Sequence, residues 1–362
     1  MSTPALLRLR EAHPDSRISL LTPAKLDGLW ERHSAIDTFL TFEPGEGAWS
    51  VARRLRLEMF DLAVVLPNSF RAALEVWLAG IPDRVGYRGQ LRGKLLTRPI
   101  ADQGEVGRMR KRSPDQIRRL IQPGVTTREA RYPDSAHHIH HYLRLVASLG
   151  ARPEPVAPTV VVADTEVQAF LERWGIDPSD SAPVFGLNPG AEYGPAKRWP
   201  AERFAAAAVE IRKRMKCRWL IFGGPGDQEL AAGITAELNR TGLGDSNANP
   251  FPIPGTAALD LSGRTTLREL AAGLKACRVL LTNDTGPMHL AAAVGTPVVA
   301  LFGSTSPVLT GPGLPGSARH TLLQTRVPCA PCFLRECPID LRCMTRIHVD
   351  AVVEAVMRAK VE

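Results

Sequence analysis

The sequence lacks any apolar run of the roughly 20 residues that a membrane-spanning helix requires. Its first residues, MSTPALLRLREAHPDSR, lack the apolar core of a signal peptide. Six cysteines among 362 residues do not make a secreted disulfide scaffold. These absences exclude integral membrane proteins and small disulfide-rich domains, and they predict a cytoplasmic protein.

Nucleic-acid signatures are also absent. The three polar turns at residues 188–200, 222–229 and 283–289 match neither a Walker A loop nor the G-x-G-x-x-G fingerprint. The chain has neither zinc-finger spacing nor aromatic residues interleaved with its basic ones. The net charge of +8 therefore predicts an anionic partner other than nucleic acid, such as a phosphorylated substrate or a membrane surface. The clustered basic residues are Arg84, Arg88, Arg92, Lys94, Arg98, Arg108, Arg110, Lys111, Arg112, Arg118, Arg119, Arg128 and Arg131.

Apolar strands alternate with helical segments along most of the chain. With 44% hydrophobic and 23% charged residues, a chain of this length can form two domains, each with its own core. The alternation predicts parallel α/β sheets, whose ligands bind at the carboxyl ends of the strands in a cleft between the domains. We expect a first domain at residues 1–165, a linker at 166–182, a second domain at 183–345 and a C-terminal helix at 346–362.

Four segments carry specific structural predictions. We expect a helix near Leu26–His33 and a strand at Val160–Val162. Residues 100–135 are charged and rich in turn formers, which favours a mobile loop or insertion. The HHIHH run that begins at His137 has ligand-like spacing, but it also suits a helix start with partly exposed imidazoles, which we favour.

The most informative segment is NDTGPMHLAAAVGTPVVALFGSTS, residues 283–306. An apolar strand at Cys277–Leu281 precedes it, and a second apolar strand at Pro297–Phe302 follows the helix within it. One interpretation is an anion site at the start of that helix. The alternative is an ordinary strand–helix–strand crossover with a well-capped helix and no ligand.

The turn within this segment combines residues that favour an anion site. Asp284 or Thr285 can cap the helix, and Pro287 suits its first turn. Gly286 lets a ligand approach the backbone, and His289 adds a donor one turn further on. Because the first amides of a helix lack intrahelical partners, such a start attracts phosphate.

Two other turns could contribute to the same site. NPGAEYGPAKRWP carries Lys197, a cation that could bind phosphate. FGGPGDQE carries Asp227 and Glu229, which could accept hydrogen bonds from ribose hydroxyls. A cation, a carboxylate and an anion-binding helix start on successive strand–helix units predict a nucleotide-diphosphate site.

Four cysteines follow the pattern C-x2-C-x4-C-x5-C; they are Cys329, Cys332, Cys337 and Cys343. Structural zinc, a redox-active pair, and reduced thiols that hold a tight loop remain open alternatives. Cys217 and Cys277 lie in apolar surroundings and are predicted to be in the core.

These motifs resemble those of glycosyltransferase family 9, the ADP-heptose:lipopolysaccharide heptosyltransferases. The three turns above carry the resemblance, and PNSFRAAL, GIPDRVGYRGQLR and CAPCFLRECPIDLRCM are similar to the heptosyltransferase II branch. The resemblance implies a GT-B fold, in which two Rossmann-like, doubly wound α/β domains face a cleft. It also implies inverting transfer of L-glycero-D-manno-heptose from ADP-heptose to heptosyl-Kdo2-lipid A, with no metal or cofactor, at the cytoplasmic face of the inner membrane.

The resemblance assigns roles to single residues. The donor-binding residues that it implies are Lys197, Asp227, Glu229, Asp284, Thr285, Gly286, Pro287 and His289. Lys197 would bind the diphosphate and stabilise the leaving ADP. Asp227 would bind the ribose, with Glu229 as the substitute. Because a carboxylate beside a diphosphate would be repelled, we expect Asp284 to face the sugar hydroxyls or to cap the helix.

The acceptor carries phosphates and Kdo carboxylates, which basic residues of the first domain should face. The candidates are Asn68, Ser69 and Arg71 at a strand end, and Arg88 and Arg92 in the GYRGQLR turn. The alternative for each of them is an ordinary solvated surface.

The chain departs from the family at its start. Family members begin with a strand and a Gly-Asp turn, whose Asp is read as the general base, before the helix that matches Ser2–Arg10. That strand and that Asp are missing here, although such a base contributes about 10²–10⁴-fold to the rate. We expect a start codon further upstream or a truncated gene, with poor stability and little activity for the chain as given. The alternatives are a family 9 transferase with another sugar nucleotide or acceptor, or a nucleotide-binding remnant.

Overall fold

The computed structural model of the protein describes residues 1–89, 91–101, 109–125, 132–241 and 257–359. The chain forms two units. The first comprises Met1–Arg108 and Pro133–Pro158, and the second comprises Met109–Tyr132 and Thr159–Glu362. Within the described ranges, no helix combines the length and the apolar composition that crossing a bilayer requires.

Both units are built from parallel strands and helices. The strands are β1 (Ser19–Pro23), β2 (Thr38–Phe42), β3 (Leu62–Val65), β4 (Asp83–Tyr87), β5 (Arg98–Ile100), β6 (Val184–Asn188), β7 (Arg218–Ile221), β8 (Ala258–Asp260), β9 (Leu280–Asn283), β10 (Val298–Phe302) and β11 (Thr321–Gln324). The α-helices are α1 (Thr3–Ala12), α2 (Ala48–Leu57), α3 (Phe70–Leu78), α4 (Pro114–Leu120), α5 (His138–Ala147), α6 (Asp164–Arg173), α7 (Ala201–Met215), α8 (Gln228–Thr241), α9 (Leu267–Ala276), α10 (Gly286–Ala293), α11 (Pro307–Thr310), α12 (Arg342–Thr345) and α13 (Val349–Met357).

The strands of the first unit form two separate parallel sheets. One sheet has the order β1-β2, with Ser19 opposite Thr38, and the other has the order β3-β4-β5. Helices α1 and α5 pack together, as do α2 and α3. Most residues of β1 and β3 are only partly buried.

The second unit contains one six-stranded parallel sheet with the order β11-β10-β9-β6-β7-β8. The winding reverses between β6 and β9, which is the switch point where doubly wound sheets bind their ligands. Strands β7, β9 and β10 are buried along their whole length. Continuous apolar strands such as VVALF in β10 are typical of a parallel sheet that is covered on both faces. The predicted doubly wound parallel α/β class is confirmed.

Two predicted elements are wrong. In place of an α-helix near Leu26–His33, a 3₁₀ helix spans Ala24–Leu29 and ends where the Trp30 amide donates to the Asp27 carbonyl. A glycine at position 28 lowers helix propensity there. The VVV segment forms no strand. Its Val160 amide donates to the Ala293 carbonyl at the end of α10.

Part of the predicted loop at residues 100–135 is a helix. Ser113 and Gln116 form a capping box at the start of α4, and Ile117 is buried in the core of the second unit. The Arg112 amide donates to the Cys332 carbonyl at 3.0 Å, which ties this segment to the same unit. Residues 102–108 and 126–131 of the predicted loop lie outside the described residues.

The HHIHH run begins α5, as predicted, but two of its imidazoles are not partly exposed. His137 is buried and its ring nitrogen accepts from the Ile139 amide, so it caps the helix. His141 is buried and stacks on Tyr87, with ring centroids 3.9 Å apart. Burial and the nearby His141 lower the pKa of His138 to about 4. These histidines belong to the structure of the helix rather than to a surface cluster.

Candidate functional site

The loops that follow β6 and β9 meet at the switch point of the second unit, where Asn283 joins them. The Asn283 side chain is fully buried. Its Nδ2 donates to the Pro189 carbonyl at 2.7 Å, and its Oδ1 accepts from the Trp199 amide at 3.1 Å. Asn283 therefore fixes the loop that carries Lys197 against the end of β9. A polar residue at the end of an apolar strand was its signal in the sequence.

Lys197 and Asp284 form a buried ion pair at this edge. Lys197 Nζ lies 2.6 Å from Asp284 Oδ2, and the two side chains are 14% and 4% exposed. The Thr305 hydroxyl donates to the same carboxylate oxygen at 2.6 Å, and Lys197 Nζ also approaches the Asp284 carbonyl at 3.3 Å. The Tyr193 ring lies beneath the ammonium, 5.0 Å from its centroid. The structure thus joins two residues that are 87 positions apart.

Asp284 does not cap the following helix. The N-cap of α10 is Thr285, which has an extended backbone and makes no side-chain capping bond. The Asp284 carboxylate is instead held by Lys197 and Thr305. We expected a cap because the carboxylate would be repelled by an anion at the helix start. Its contacts with Lys197 and Thr305 offset that repulsion without a capping bond.

The start of α10 is open to a ligand. Gly286 is exposed, and a side chain added there would meet no atom within 4 Å. Pro287 occupies the first turn, and His289 is half buried in it. The first amides of a helix have no intrahelical acceptor, and Lys197 binds the backbone directly before this helix. A cation and an amide-rich helix start therefore lie side by side, which is an arrangement that binds phosphate.

Asp227 lies against the loop that follows β6. Its carboxylate accepts from the Gly224 amide at 3.1 Å and pairs with Arg198 at 3.2 Å. At Gly190, a side-chain Cβ would fall 2.3 Å from Asp227 Oδ2. Only glycine permits this approach. Glu229, the second candidate for ribose binding, is exposed in the first turn of α8.

The segment that contains the four clustered cysteines packs behind these loops. The carbonyl of Ser304 at the end of β10 accepts from the amides of Cys332 and Phe333 at 3.0 and 2.7 Å. The Tyr193 hydroxyl donates to the Phe333 carbonyl at 2.8 Å. The Ser304 hydroxyl is buried and has no hydrogen-bond partner among the described residues. The cysteine segment therefore supports the loop that carries Lys197.

All six cysteines are free thiols. Cys217 and Cys277 are buried in the core, as predicted. Cys329, Cys332 and Cys343 are also buried, and burial raises the pKa of Cys343 to about 12. Across the described parts of the chain, no group of three His, Cys, Asp or Glu side chains could hold a metal ion.

In the first unit, Asn68 belongs to a polar network at the end of β3. Asn68 Nδ2 lies 3.1 Å from His141 Nε2, and its Oδ1 accepts from Arg92. Arg92 also donates to the Pro67 carbonyl at 2.5 Å. Arg92 is only 1% exposed, and burial lowers its pKa. Arg92 is therefore placed to orient Asn68, and it is not part of the exposed surface.

The other acceptor candidates have different surroundings. The Ser69 hydroxyl accepts from the Ala72 amide and caps α3. Arg71 pairs with Glu75 at 2.7 Å and donates to the Glu46 carbonyl at 2.6 Å. Arg88 is exposed just after β4. Of the five candidates, Asn68 and Arg88 thus combine exposure with a place directly after a strand.

The chain is similar to known proteins over most of its length. Residues 106–342 match the profile described as glycosyltransferase family 9 (heptosyltransferase). Lipopolysaccharide heptosyltransferase 2 of Escherichia coli is 30% identical over 86% of this chain and 81% of its own. Lipooligosaccharide heptosyltransferase 2 of Haemophilus ducreyi is 29% identical over 86% and 82%.

Solved structures share the fold. The structure of E. coli ADP-heptose lps heptosyltransferase II superposes with a TM-score of 0.75 at 25% identity, covering 99% of this chain and 93% of that one. E. coli heptosyltransferase WaaC, solved with ADP, has the same fold at a TM-score of 0.64 and 15% identity, covering 99% of this chain and 95% of that one. The predicted GT-B class is thereby confirmed, and so is the prediction of a glycosyltransferase. The chain belongs to glycosyltransferase family 9, the heptosyltransferase family.

Proposed function

We propose that the protein transfers L-glycero-D-manno-heptose from ADP-heptose to the heptosyl-Kdo2-lipid A inner core of lipopolysaccharide, with inversion. Its relatives named heptosyltransferase 2 support the sugar and the acceptor. The solved heptosyltransferase II, whose printed name includes ADP-heptose, supports the donor. The observation that carries the proposal is the Lys197–Asp284 pair beside the start of α10, at the switch point of the second unit.

In this proposal, the donor diphosphate lies between Lys197 and the first amides of α10. When the bond to the sugar breaks, negative charge grows on the leaving ADP while the sugar gains oxocarbenium character, as in glycoside hydrolysis. Lys197 and the amides near Gly286 stabilise that charge in place. Asp284, whose carboxylate accepts from the Thr305 hydroxyl, holds the ammonium group in position before the donor arrives.

The residues that we propose for the remaining donor contacts lie at the same edge of the sheet. We assign the ribose hydroxyls to Asp227, because it lies against the loop that carries Lys197, and Arg198 orients its carboxylate. His289 in the first turn of α10 completes the contacts with the diphosphate or the heptose. Glu229 is the alternative partner of the ribose.

We propose that transfer requires no metal ion. The positive charge that a divalent cation supplies to a leaving diphosphate in other enzymes comes here from Lys197 and the helix start. Preincubation with EDTA should therefore leave the rate unchanged, with addition of Mg²⁺ as the matched control. A loss of activity that Mg²⁺ restores would contradict this part of the proposal.

For the acceptor, we propose that Asn68 and Arg88 contact its phosphates and carboxylates, with Ser69 and Arg71 at the edge of the same site. Arg92 and His141 orient Asn68 through the network described above. An Arg88→Ala substitution should raise the KM for the acceptor and leave the KM for ADP-heptose unchanged. A raised KM for ADP-heptose together with an unchanged KM for the acceptor would show that Arg88 does not contact the acceptor.

We also propose that the protein acts at the inner membrane's cytoplasmic face, and that the outer face of α2 contacts the membrane that carries the acceptor. Trp49 and Leu57 are 68% and 75% exposed there, and Arg53 and Arg56 lie between them. These positions fall on one helix face, while Val51, Ala52 and Leu55 face the core. Exposed Trp and Leu beside arginines suit the surface of an anionic bilayer.

Binding to lipid vesicles of two compositions tests this membrane contact. Vesicles with a third of anionic phosphatidylglycerol should sediment the protein, and neutral phosphatidylcholine vesicles should not. Trp49→Ala with Arg53→Glu should abolish the binding, whereas the matched pair Trp174→Ala with Arg173→Glu in the second unit should not. Equal binding of both double variants would contradict the contact.

The decisive experiment is transfer with defined substrates. The protein should convert ADP-heptose and a monoheptosylated Kdo2-lipid A acceptor into ADP and a diheptosylated product with inverted anomeric configuration, which NMR can assign. Turnover with another sugar nucleotide alone would favour a different family 9 activity. Binding of ADP without turnover of any donor would favour a nucleotide-binding remnant.

A further inference from the structure

We propose that Tyr193 and Arg335 are positioning residues for Lys197. The Arg335 guanidinium holds the ring of Tyr193, and that ring fixes the Lys197 ammonium where it meets the leaving diphosphate. All three residues belong to the second unit. This role rests on the proposed function, because only a donor diphosphate at the start of α10 gives the position of the ammonium a consequence for turnover.

Both cations contact the same aromatic ring. Lys197 Nζ lies 5.0 Å from the centroid of the Tyr193 ring, and Arg335 Cζ lies 5.4 Å from it. The face of an aromatic ring carries partial negative charge, which attracts a cation within about 6 Å of the centroid. Two cations held this close repel each other, and their attraction to the ring offsets that repulsion. The ring therefore helps to determine where the ammonium lies.

The ring is itself held by the cysteine segment, residues 329–343. The Tyr193 hydroxyl donates to the Phe333 carbonyl at 2.8 Å. The Tyr193 carbonyl accepts from Arg335 Nε, also at 2.8 Å, although the two residues are 142 positions apart. Because the side chain and the backbone of Tyr193 are held separately, the ring cannot turn away from Lys197 unless one of these contacts breaks.

Arg335 also fixes the turn that carries Lys197. Its carbonyl accepts from the Ala196 amide at 2.9 Å, within the 3₁₀ turn Pro195–Lys197. At Gly194, a side-chain Cβ would fall 2.6 Å from the same carbonyl oxygen, and the φ of +147° also favours glycine. Arg335 therefore holds the turn through its backbone and the aromatic ring through its side chain.

A donor diphosphate makes the contact with the ring important. Before the donor arrives, the Asp284 carboxylate holds the ammonium of Lys197 at 2.6 Å. An incoming diphosphate attracts the same ammonium, and a lysine side chain has many rotamers to choose from. The Tyr193 ring carries no net charge, so it keeps its contact while the ammonium exchanges carboxylate for phosphate. A cation that is already in place stabilises a leaving group without further rearrangement.

A double-mutant cycle on ADP affinity tests whether Arg335 acts through Lys197. Arg335→Met is placed in the wild-type protein and in a Lys197→Met, Asp284→Asn background, which leaves no buried carboxylate unpaired. Isothermal titration calorimetry measures the Kd for ADP. In the wild-type protein we expect binding to weaken about three- to tenfold, since a cation–π contact is lost. In the second background we expect less than about a twofold further change.

Three further variants complete the cycle. Tyr193→Leu should behave like Arg335→Met in both backgrounds, and Arg335→Lys, which keeps a cation near the ring, should recover most of the affinity. The matched control Arg173→Met removes a guanidinium 5.2 Å from the centroid of the Trp174 ring and should bind ADP like the wild type. Equal losses of affinity in both backgrounds would overturn the proposal, because Arg335 would then contact ADP directly or serve only the fold.

NMR of the Lys197 ε-methylene group gives a readout that needs no ligand. Its signal is the one that Lys197→Met lacks. In the wild type, the ring current of Tyr193 should move it upfield of the other lysine signals, and Tyr193→Leu and Arg335→Met should return it to them. An unchanged signal in both variants would overturn the proposal, whether or not the protein binds ADP. A failure of heptose transfer, with the cycle and the NMR shift as expected, would contradict the proposed function alone.

Discussion

The two units differ in how continuous their parallel sheets are. The second unit has one continuous sheet of six strands, and its central strands are buried along their whole length. The first unit has strands of similar composition, but they form sheets of two and three strands and stay half buried. The contrast shows that apolar strands and covering helices are not sufficient for a central sheet position, because each strand also needs a hydrogen-bonding neighbour on both edges.

The same difference affects the candidate site residues. In the second unit, a continuous sheet brings the ends of β6 and β9 together, so Lys197, Asn283 and Asp284 are fixed by short hydrogen bonds. In the first unit, the network around Asn68 and Arg92 lies at the end of β3, an outer strand of the three-stranded sheet. We therefore expect the candidate site residues of the second unit to be more rigid before ligand binding than those of the first.

The largest effect should come from removing the cation of the second unit. Lys197→Met should reduce kcat by about 10²–10³-fold, because a charge that stabilises the leaving group is lost. Since the substitution leaves Asp284 buried and unpaired, Lys197→Met with Asp284→Asn serves as the folding control. The double variant should recover thermal stability and remain as slow. As a control, Lys213→Met on the exposed face of α7 should have wild-type kinetics. Wild-type activity of Lys197→Met would show that Lys197 does not contribute to the site.

A second comparison measures the two sheets directly. The free energy of opening for the amides of β6 and β9 should be at least about 2 kcal/mol higher than for those of β1 and β3. The reason is that local stability increases with buried contacts and with hydrogen-bonded strand edges. Native-state hydrogen exchange measures both sets in one sample. Equal protection of the two sets would show that the split sheet does not weaken the first unit.

A third prediction uses two glycines of the second unit. Gly190→Ala should lower the free energy of unfolding by about 1–3 kcal/mol, because the new Cβ would overlap the Asp227 carboxylate. Gly233→Ala, in the exposed middle of α8 with no atom within 4 Å, should stabilise by up to about 1 kcal/mol. Denaturant unfolding of both variants measures these changes. A Gly190→Ala protein as stable as the wild type would contradict the close approach of residue 190 to the Asp227 carboxylate.

The smallest effect concerns acid. Burial lowers the pKa of His138 in the first unit and of His320 in the second to about 4. Since the unfolded chain binds these protons near pH 6.5, each contribution is complete above pH 6.5 and is lost as the pH falls towards 4. Between pH 7 and pH 5, each of these two histidines should contribute a loss of about 1–2 kcal/mol in the free energy of unfolding. Burial also lowers the pKa of His33 and His140 in the first unit. His138→Gln should therefore reduce the pH dependence of the first unit without abolishing it, and His320→Gln should reduce that of the second; an unchanged profile in either variant would contradict its assignment.

Local patterns in the sequence were sufficient for most elements near the candidate site. The strand and helix around NDTGPMH were predicted from apolar runs, a proline in the first turn and a glycine at the turn. The capping box that Thr266 and Glu269 form at the start of α9 likewise joins residues only three positions apart. Such features depend on neighbours a few residues apart. The strand predicted for the VVV segment is wrong because its Val160 amide bonds to the carbonyl at the end of α10 and not to a neighbouring strand.

The sequence by itself determined the parallel α/β class, the helix start at Gly286 and the residue types of the proposed nucleotide-sugar site. Only the tertiary structure decided that Lys197 pairs with Asp284, that Arg92 is buried behind Asn68 and that the strands of the first unit form two separate sheets. The physical reason is distance along the chain. Helix starts and apolar runs are set by adjacent residues, whereas ion pairs and sheet edges join residues tens of positions apart and depend on how every intervening element packs.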